Sequence, residues 1–553
     1  MAGGLVATIA DLITDRVDDP STALLFEDAA WSYAELARQA AARASLLSTV
    51  PGAGRPHVGV LLDNVPEFVF WLAAAALSRS VVVGINSTRR GPELANDIKT
   101  TDCRWLVTDS EHRDLLASLD VGIAAEQILI VDSRAYAERL GEYSGASIDA
   151  RAEPDDLLTL IFTSGTTGRP KAVRLTQGRL ARSGLGLTAR VDLSHGVVYQ
   201  AMPMFHSTAI IAGWSPALIA GIPMALRRRF SASGWLPDVR RYRATYFNYV
   251  GKPLSYILAT PEREDDADNP LEIAFGNEAN PEDIERFERR FGCKVMDSYG
   301  SSEGAAVIVR TPGTPRAALG PVTDTVRIFD PATSQECPPA RFDDAGRVSN
   351  QAEAIGEIAS TTGPAAFEGY YGNEEAQRQR VHSGLYWSGD LAYRDDDGWV
   401  YFAGRGDDWM RVDGENFSGA PVEALISRHP DVMLAAVYAV PDSRVGDQVM
   451  ACVQLRPGST ADAQALDAHL RKQPELGTKW LPRFLRITSS MPTTATSKVL
   501  KRQLRAERWE CQDPVWWRPQ PAADLQPLTA ADRAAIRGEF DRHGRTRALT
   551  LLV

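Results

Sequence analysis

From residue 57 onward, short apolar runs alternate with longer stretches of helical periodicity. Residues 57–62 form a continuous apolar run of strand length, 66–78 read as a helix, and 80–85 as a second strand. A helix over 91–101 and a strand opening at 105–108 follow. Strands separated by helices of this length predict a parallel sheet, so the chain reads as α/β. Residues 157–162 form another β run that enters a turn rich in Gly, Thr and Ser. Later strands are predicted at 197–202, 245–250 and 294–298. The acidic turn Asp395–Gly398 separates two further strands, the signal of a hairpin.

After residue 408 the texture changes. A helix over 421–429, strands over 432–440 and 448–455, a helix over 461–473 and a strand-like segment at 483–488 describe a small α+β unit. The boundary falls near Asp407. From Pro519 a Pro-rich stretch leads into a helix over 529–543. No internal repeat or extended low-complexity segment is present.

Length agrees with more than one domain. A single core stops growing at roughly 250–300 residues, and this chain has 553. The formal net charge of -11 argues against a general nucleic-acid binder, which carries a basic footprint. Arg174, Arg227, Arg228, Arg229, Arg240, Arg241 and Arg243 make the middle locally basic, a pattern expected of solvated faces. The five cysteines are scattered, without a Cys-x-x-Cys pair, so neither a disulfide framework nor a zinc site is predicted and a reducing cytoplasm fits. The first ten residues lack the basic start of a signal peptide. The longest apolar run, 68–77, falls short of the about 20 residues that span a bilayer. Peripheral contact with a membrane and a homodimer are both compatible with this composition.

The chemistry concentrates in a few motifs. Thr163-Ser164-Gly165-Thr166-Thr167-Gly168-Arg169-Pro170-Lys171 has two glycines for tight turns, four hydroxyls and a cation. Backbone N–H groups in such turns cradle anions, and the composition suits a triphosphate without matching the Walker spacing. Downstream lie Tyr299-Gly300-Ser301-Ser302-Glu303-Gly304, Trp387-Ser388-Gly389-Asp390, Gly404-Arg405 before Asp407, and Thr494-Ala495-Thr496-Ser497-Lys498.

In this order the motifs resemble those of the adenylate-forming superfamily of acyl-CoA synthetases, adenylation domains and luciferases. Ser302 and Ser388 stand where Thr is usual, and Ser497 where many members have Gly. The resemblance covers roughly residues 25 to 515. Residues 245–258, Gly276-Asn277-Glu278 and Arg411-Val412-Asp413-Gly414-Glu415-Asn416 are similar to the fatty acid transport protein/very-long-chain acyl-CoA synthetase branch, and most similar to actinobacterial sterol side-chain CoA ligases.

The resemblance implies a large N-terminal domain (1–406) with stacked, mostly parallel sheets flanked by helices plus a β-subdomain. It also implies a small mobile C-terminal α+β domain (407–517), followed here by a tail with one helix (518–553). The implied substrates and cofactors are ATP, Mg²⁺, coenzyme A and a small-molecule carboxylic acid. Attack of a carboxylate on the α-phosphate concentrates negative charge, so it needs cations and preorganised donors. Lys498 would bridge carboxylate and α-phosphate, with Lys501 as runner-up. Glu303 would hold Mg²⁺ beside Ser302. Residues Thr163 to Gly168 and Lys171 would bind phosphates. Tyr299, with Gly276 and Asn277 opposite, would sandwich adenine, Asp390 would hold the ribose, and Arg405 would complement ribose or phosphate. Glu278 brings a charge where small residues are usual. His206 would gate the acyl tunnel, with Trp214 and Tyr249 in its wall. Gly414, Glu415 and Asn416 would face the pantetheine, and Asp407 would be the hinge. Three other readings compete: a fatty-acid uptake or carrier protein, an adenylating enzyme serving a different acceptor, and a nucleotide-binding regulator without turnover.

Overall fold

The computed structural model describes residues 8–148, 152–163, 170–279, 281–344, 348–405, 409–412, 415–444, 446–477, 479–494, 497–520 and 523–549, with main chain alone at 405, 409, 411, 415 and 416. Two sheets of mostly parallel strands dominate its N-terminal part. The first runs in the order 128–130, 103–108, 57–61, 81–84, 157–163, 171–176, and only the last pair is antiparallel. The second runs 308–309, 294–299, 273–277, 246–250, 198–200, 224–226, 22–26, 29–32, with antiparallel strands only at its two ends.

The helix Pro66–Ser78 explains how the layers hold together. Every side chain from Phe68 to Leu77 is buried, so it has no solvent face. A helix apolar on all sides belongs inside a large core. Pro66 opens it at a position where no N–H is needed, and Arg79 ends it in the left-handed conformation. Trp71 is fully buried, which contributes about 2–3 kcal/mol of transfer free energy. The run too short to span a bilayer is thus a core element, and among the described residues no helix is long and apolar enough to cross a membrane.

An antiparallel sheet follows, ordered 320–321, 399–405, 385–394, 356–360, 326–329, with 381–382 paired to 385–394. The acidic turn at 395–398 closes the hairpin between its two longest strands, as the pattern predicts. Several central arginines are ion-paired: Arg229 with Asp63 at 2.7 Å and Glu111 at 2.8 Å, Arg241 with Asp28 at 2.6 Å, Arg240 with Asp265 at 3.1 Å. The five cysteines are free thiols.

The C-terminal part carries a two-stranded ribbon, 409–412 with 415–418, and a five-stranded sheet ordered 432–441, 447–455, 484–488, 515–517, 526–527. Here the structure differs from the expected tail. Strand Gln526–Pro527 adds to the sheet edge, and Ile536 and Phe540 of helix Ala530–Arg542 are buried in a cluster with Tyr438 and Met450. Arg518 is buried and ion-paired with Asp467. The Pro-rich stretch obscured this in the sequence, because a two-residue strand has no periodicity to read.

Candidate active site

Open parallel sheets place ligands in the crevice beyond the carboxyl ends of their strands. Neighbouring strands of the second sheet end there at Val250, Asn277 and Tyr299. Asn277 Oδ1 is buried and accepts no hydrogen bond, so a donor is missing at that point. An exocyclic amino group such as that of adenine has the complementary chemistry. Gly276 has a different reason to be bare: a Cβ there would lie 2.4 Å from the Tyr249 carbonyl oxygen and 2.7 Å from its ring. The Tyr299 hydroxyl donates to Asp390 Oδ2 at 2.7 Å, which joins the expected adenine and ribose residues across 91 positions of sequence. Asp390 is buried, and its main chain is in register with Arg405.

The two ends of the signature run, Thr163 and Lys171, are register partners on adjacent antiparallel strands. Lys171 is buried, with its ammonium 5.3 Å above the Tyr370 ring. The Tyr370 hydroxyl donates to Glu303 Oε1 at 2.7 Å. Burial, then the Glu303 charge, raises the Tyr370 pKa, so the hydroxyl keeps its proton. Arg179 donates to the Ser302 carbonyl at 2.8 Å, and the Ser302 and Ser207 hydroxyls meet at 2.7 Å. Glu303 is therefore a buried carboxylate fixed by a neutral donor and facing cations, an oxygen ligand that suits a hard ion. Gly300 and exposed Ser301 sit in the turn leading to it.

His206 caps the run of helix that begins at Ser207, its Nδ1 accepting the Thr208 N–H at 3.3 Å. That run contains a π-helical turn, Ile210–Trp214, a feature frequent at functional sites. Burial first, and the Lys498 cation second, push the His206 imidazole down to about 3, with Glu278 opposing. The ring is neutral at ordinary pH. Lys498 reaches this corner from the C-terminal part, with Nζ 2.6 Å from Glu278 Oε1. His206, Glu278 and Lys498 thus converge.

Some expectations shift. Lys501 is paired with Glu423 at 2.8 Å, away from this corner. Tyr249 turns to the opposite face of its strand, where its hydroxyl donates to Asp297 at 2.8 Å and its ring lies against Phe247. It does not wall a tunnel with His206, because alternation along the strand sends Tyr246 and Asn248 to that side instead. Trp214 is core. Ser164, Gly165, Thr166, Thr167, Gly168, Asp407 and Gly414 lie outside the described residues, as do the side chains of Arg405, Glu415 and Asn416. Sequence reasoning missed Tyr370 and Arg179. Neither sits in a motif that signals chemistry, and Tyr370 meets Glu303 only through the fold.

The AMP-binding enzyme family matches residues 16–371, and the C-terminal domain of AMP-binding enzymes matches 421–498. This chain belongs to the AMP-binding enzyme family. It is 46% identical to the steroid-22-oyl-CoA synthetase of Rhodococcus jostii over 98% of this chain and 99% of that one. It is 48% identical to the medium/long-chain-fatty-acid–CoA ligase FadD17 of Mycobacterium tuberculosis, over 92% and 98%. Coverage by the Rhodococcus enzyme is too complete to leave the C-terminal segment unmatched, so that segment has a counterpart there. Among solved structures, the anthranilate CoA ligase AuaEII with anthranoyl-AMP shares the fold, with a TM-score of 0.78 at 20% identity over 91% of this chain and 98% of that one.

Proposed function

We propose that this protein is an ATP-dependent acyl-CoA ligase. It converts a carboxylic acid and ATP to an acyl-adenylate and pyrophosphate, then transfers the acyl group to coenzyme A with release of AMP. The observation that carries this reading is the convergence of Lys498 and His206 beside strand ends that carry Asn277 and Tyr299, with Glu303 in the turn that follows.

A carboxylate is a poor acyl donor because its oxygen leaves badly. Its attack on the α-phosphorus expels pyrophosphate and makes a mixed anhydride. Lys498, a compact ammonium with three donors, offsets charge on both reacting groups as they approach. Asn277 receives the adenine amino group, Tyr299 orients Asp390 toward the ribose, and the signature run ending at Lys171 holds phosphates. Glu303, fixed by Tyr370, would hold Mg²⁺, which supplies charge neutralisation on phosphate oxygens when bound. In the second half-reaction the CoA sulfur attacks the acyl carbon, the thiol proton is lost, and AMP leaves. A neutral His206 gives no general acid, which fits a gate between acyl site and thiol. The C-terminal domain would turn about Asp407 between the two steps, bringing Gly414, Glu415 and Asn416 to the pantetheine.

The acid is large and apolar: a steroid side-chain acid or a medium- to long-chain fatty acid, the substrates named for the relatives at 46% and 48% identity. Both relatives are CoA ligases, which favours this reading over a carrier or another acceptor. Pyrophosphate release measured with a sterol side-chain acid, palmitate, benzoate and acetate, each with and without CoA, tests it. Steroid or long-chain acids should show by far the highest kcat/KM, with acyl-CoA formed only when CoA is present. A preference for acetate or benzoate would sink the large-acid reading, and absence of any acyl-CoA would sink the ligase reading.

A further inference from the structure

We propose that Glu278 is the positioning residue for Lys498, its carboxylate holding and aiming the ammonium before substrates arrive. The proposal rests on Lys498 being the adenylation lysine, as above. The two residues are 220 positions apart. Glu278 follows strand Ile273–Asn277 of the second sheet, and Lys498 precedes helix Lys501–Glu507 of the C-terminal part. Their 2.6 Å contact therefore joins the two halves of the enzyme at the reacting corner.

Unusual backbone on both sides brings them together. Glu278 has φ +65° and Ser497, next to Lys498, has φ +63°. Left-handed conformations are uncommon outside glycine and gather at functional sites when the surroundings hold them. Both turns are held. Gly251 N–H donates to the Asn277 carbonyl at 3.0 Å, and Ala279 N–H donates to Asp297 Oδ2 at 3.1 Å. On the other side Thr494 N–H donates to the Lys498 carbonyl at 2.7 Å, and Lys498 N–H to Thr494 Oγ1 at 3.1 Å. The long lysine stem is thus directed at one carboxylate from a rigid base.

Stability alone does not account for the pair. The side chains are 33% and 43% exposed, a setting in which ion pairs contribute little to folding. Docking of the two halves does not need it either, since Arg456 meets Asp283 at 3.5 Å and Tyr256 packs against the C-terminal cluster. What the pair does is choose where the ammonium sits. An ammonium has three N–H donors, so one spent on Glu278 leaves two for the substrate carboxylate and α-phosphate.

The test uses the full-length enzyme and single-turnover pyrophosphate release with palmitate or a sterol side-chain acid. Glu278→Gln should slow adenylation about three- to tenfold with the KM for acid and ATP little changed, and Glu278→Asp should recover part of the loss, as expected for one charge-assisted hydrogen bond. The rate of CoA attack on supplied acyl-adenylate should be unchanged. In the ligand-free protein, acetylation of Lys498 by acetic anhydride, read by mass spectrometry, should rise about two- to fivefold in Glu278→Gln as the partner charge is lost. Lys498→Ala should lower the rate of adenylation about a hundred- to thousandfold. Normal adenylation and normal Lys498 labelling in Glu278→Gln, with Lys498→Ala so slowed, would overturn the positioning role and leave Lys498 assigned. Normal adenylation by Lys498→Ala would overturn the reading on which it rests. Equal loss of both half-reactions in Glu278→Gln would make Glu278 structural and overturn the proposal.

Discussion

Two side chains of the reacting corner differ in what their surroundings do to charge. Lys498 is an ammonium beside a carboxylate, whereas His206 is a ring that burial keeps neutral. Lys498→Ala should therefore lower the rate of adenylation about a hundred- to thousandfold, the scale seen when a donor to transition-state charge is removed. CoA transfer from supplied acyl-adenylate should survive, because the charge Lys498 stabilises is gone by then. The two half-reactions, assayed separately, check this. His206 makes a pH prediction. Its folded pKa, about 3, lies below the ordinary imidazole value of 6.5, so between those values the unfolded chain binds the extra proton. The stability linked to its neutral form is present above pH 6.5 and is lost as pH falls toward 3. The difference in Tm between His206→Phe and wild type should accordingly grow in favour of the variant from pH 7 to pH 4.5. A constant difference across that range would place the titration elsewhere.

Secondary structure positions these groups through where strands stop. Asn277 and Tyr299 end adjacent parallel strands in register, so their side chains and the turns after them share one edge. The close approach of the strand Tyr246–Val250 sets a steric limit on the same element. Gly276→Ala would put a methyl 2.4 Å from the Tyr249 carbonyl oxygen. Overpacking of this kind costs about 1–3 kcal/mol. Denaturant unfolding should show that loss, together with weaker ATP binding as Asn277 shifts. An unchanged midpoint would mean that the strands part more easily than their packing implies. On the following turn, Glu278 and the Lys498 loop adopt left-handed backbone without glycine, which local propensity opposes and tertiary contacts impose.

For the whole molecule, one crevice has to serve an ATP reaction and a CoA reaction. On the proposed reading, the contact of Lys498 with Glu278 would be the adenylation arrangement. On the same reading, thioester formation would have that ammonium withdraw and a thiol enter. A hinge at Asp407 would accomplish both, and Asp407→Pro, by fixing φ, should arrest the swing. Adenylate should still accumulate in that variant while acyl-CoA formation fails, as quenched-flow analysis of both products would show. Full turnover by the proline variant would exclude Asp407 as the moving point. The C-terminal segment bears on this motion, since helix Ala530–Arg542 is packed into the body that would swing and travels with it.

Much of this architecture was legible in the chain itself. Continuous apolar runs and their lengths located the helix Pro66–Ser78 and the strands around it, since elements buried on every side leave an unbroken apolar run with no alternation. The order of the motifs also pointed to adenylation chemistry through its resemblance to the adenylate-forming superfamily, whereas the burial of Glu303 emerged only from the fold. Pattern could not say which face a fully buried strand turns to the site, so the expectation for Tyr249 fails on a strand that is buried on both faces. Nor could it show contacts between distant positions. Tyr370 with Glu303, Tyr299 with Asp390, and Glu278 with Lys498 are separated by 67, 91 and 220 residues. Short-range periodicity carries no record of such distances; they are decided only when the sheets stack and the C-terminal part closes over the strand ends.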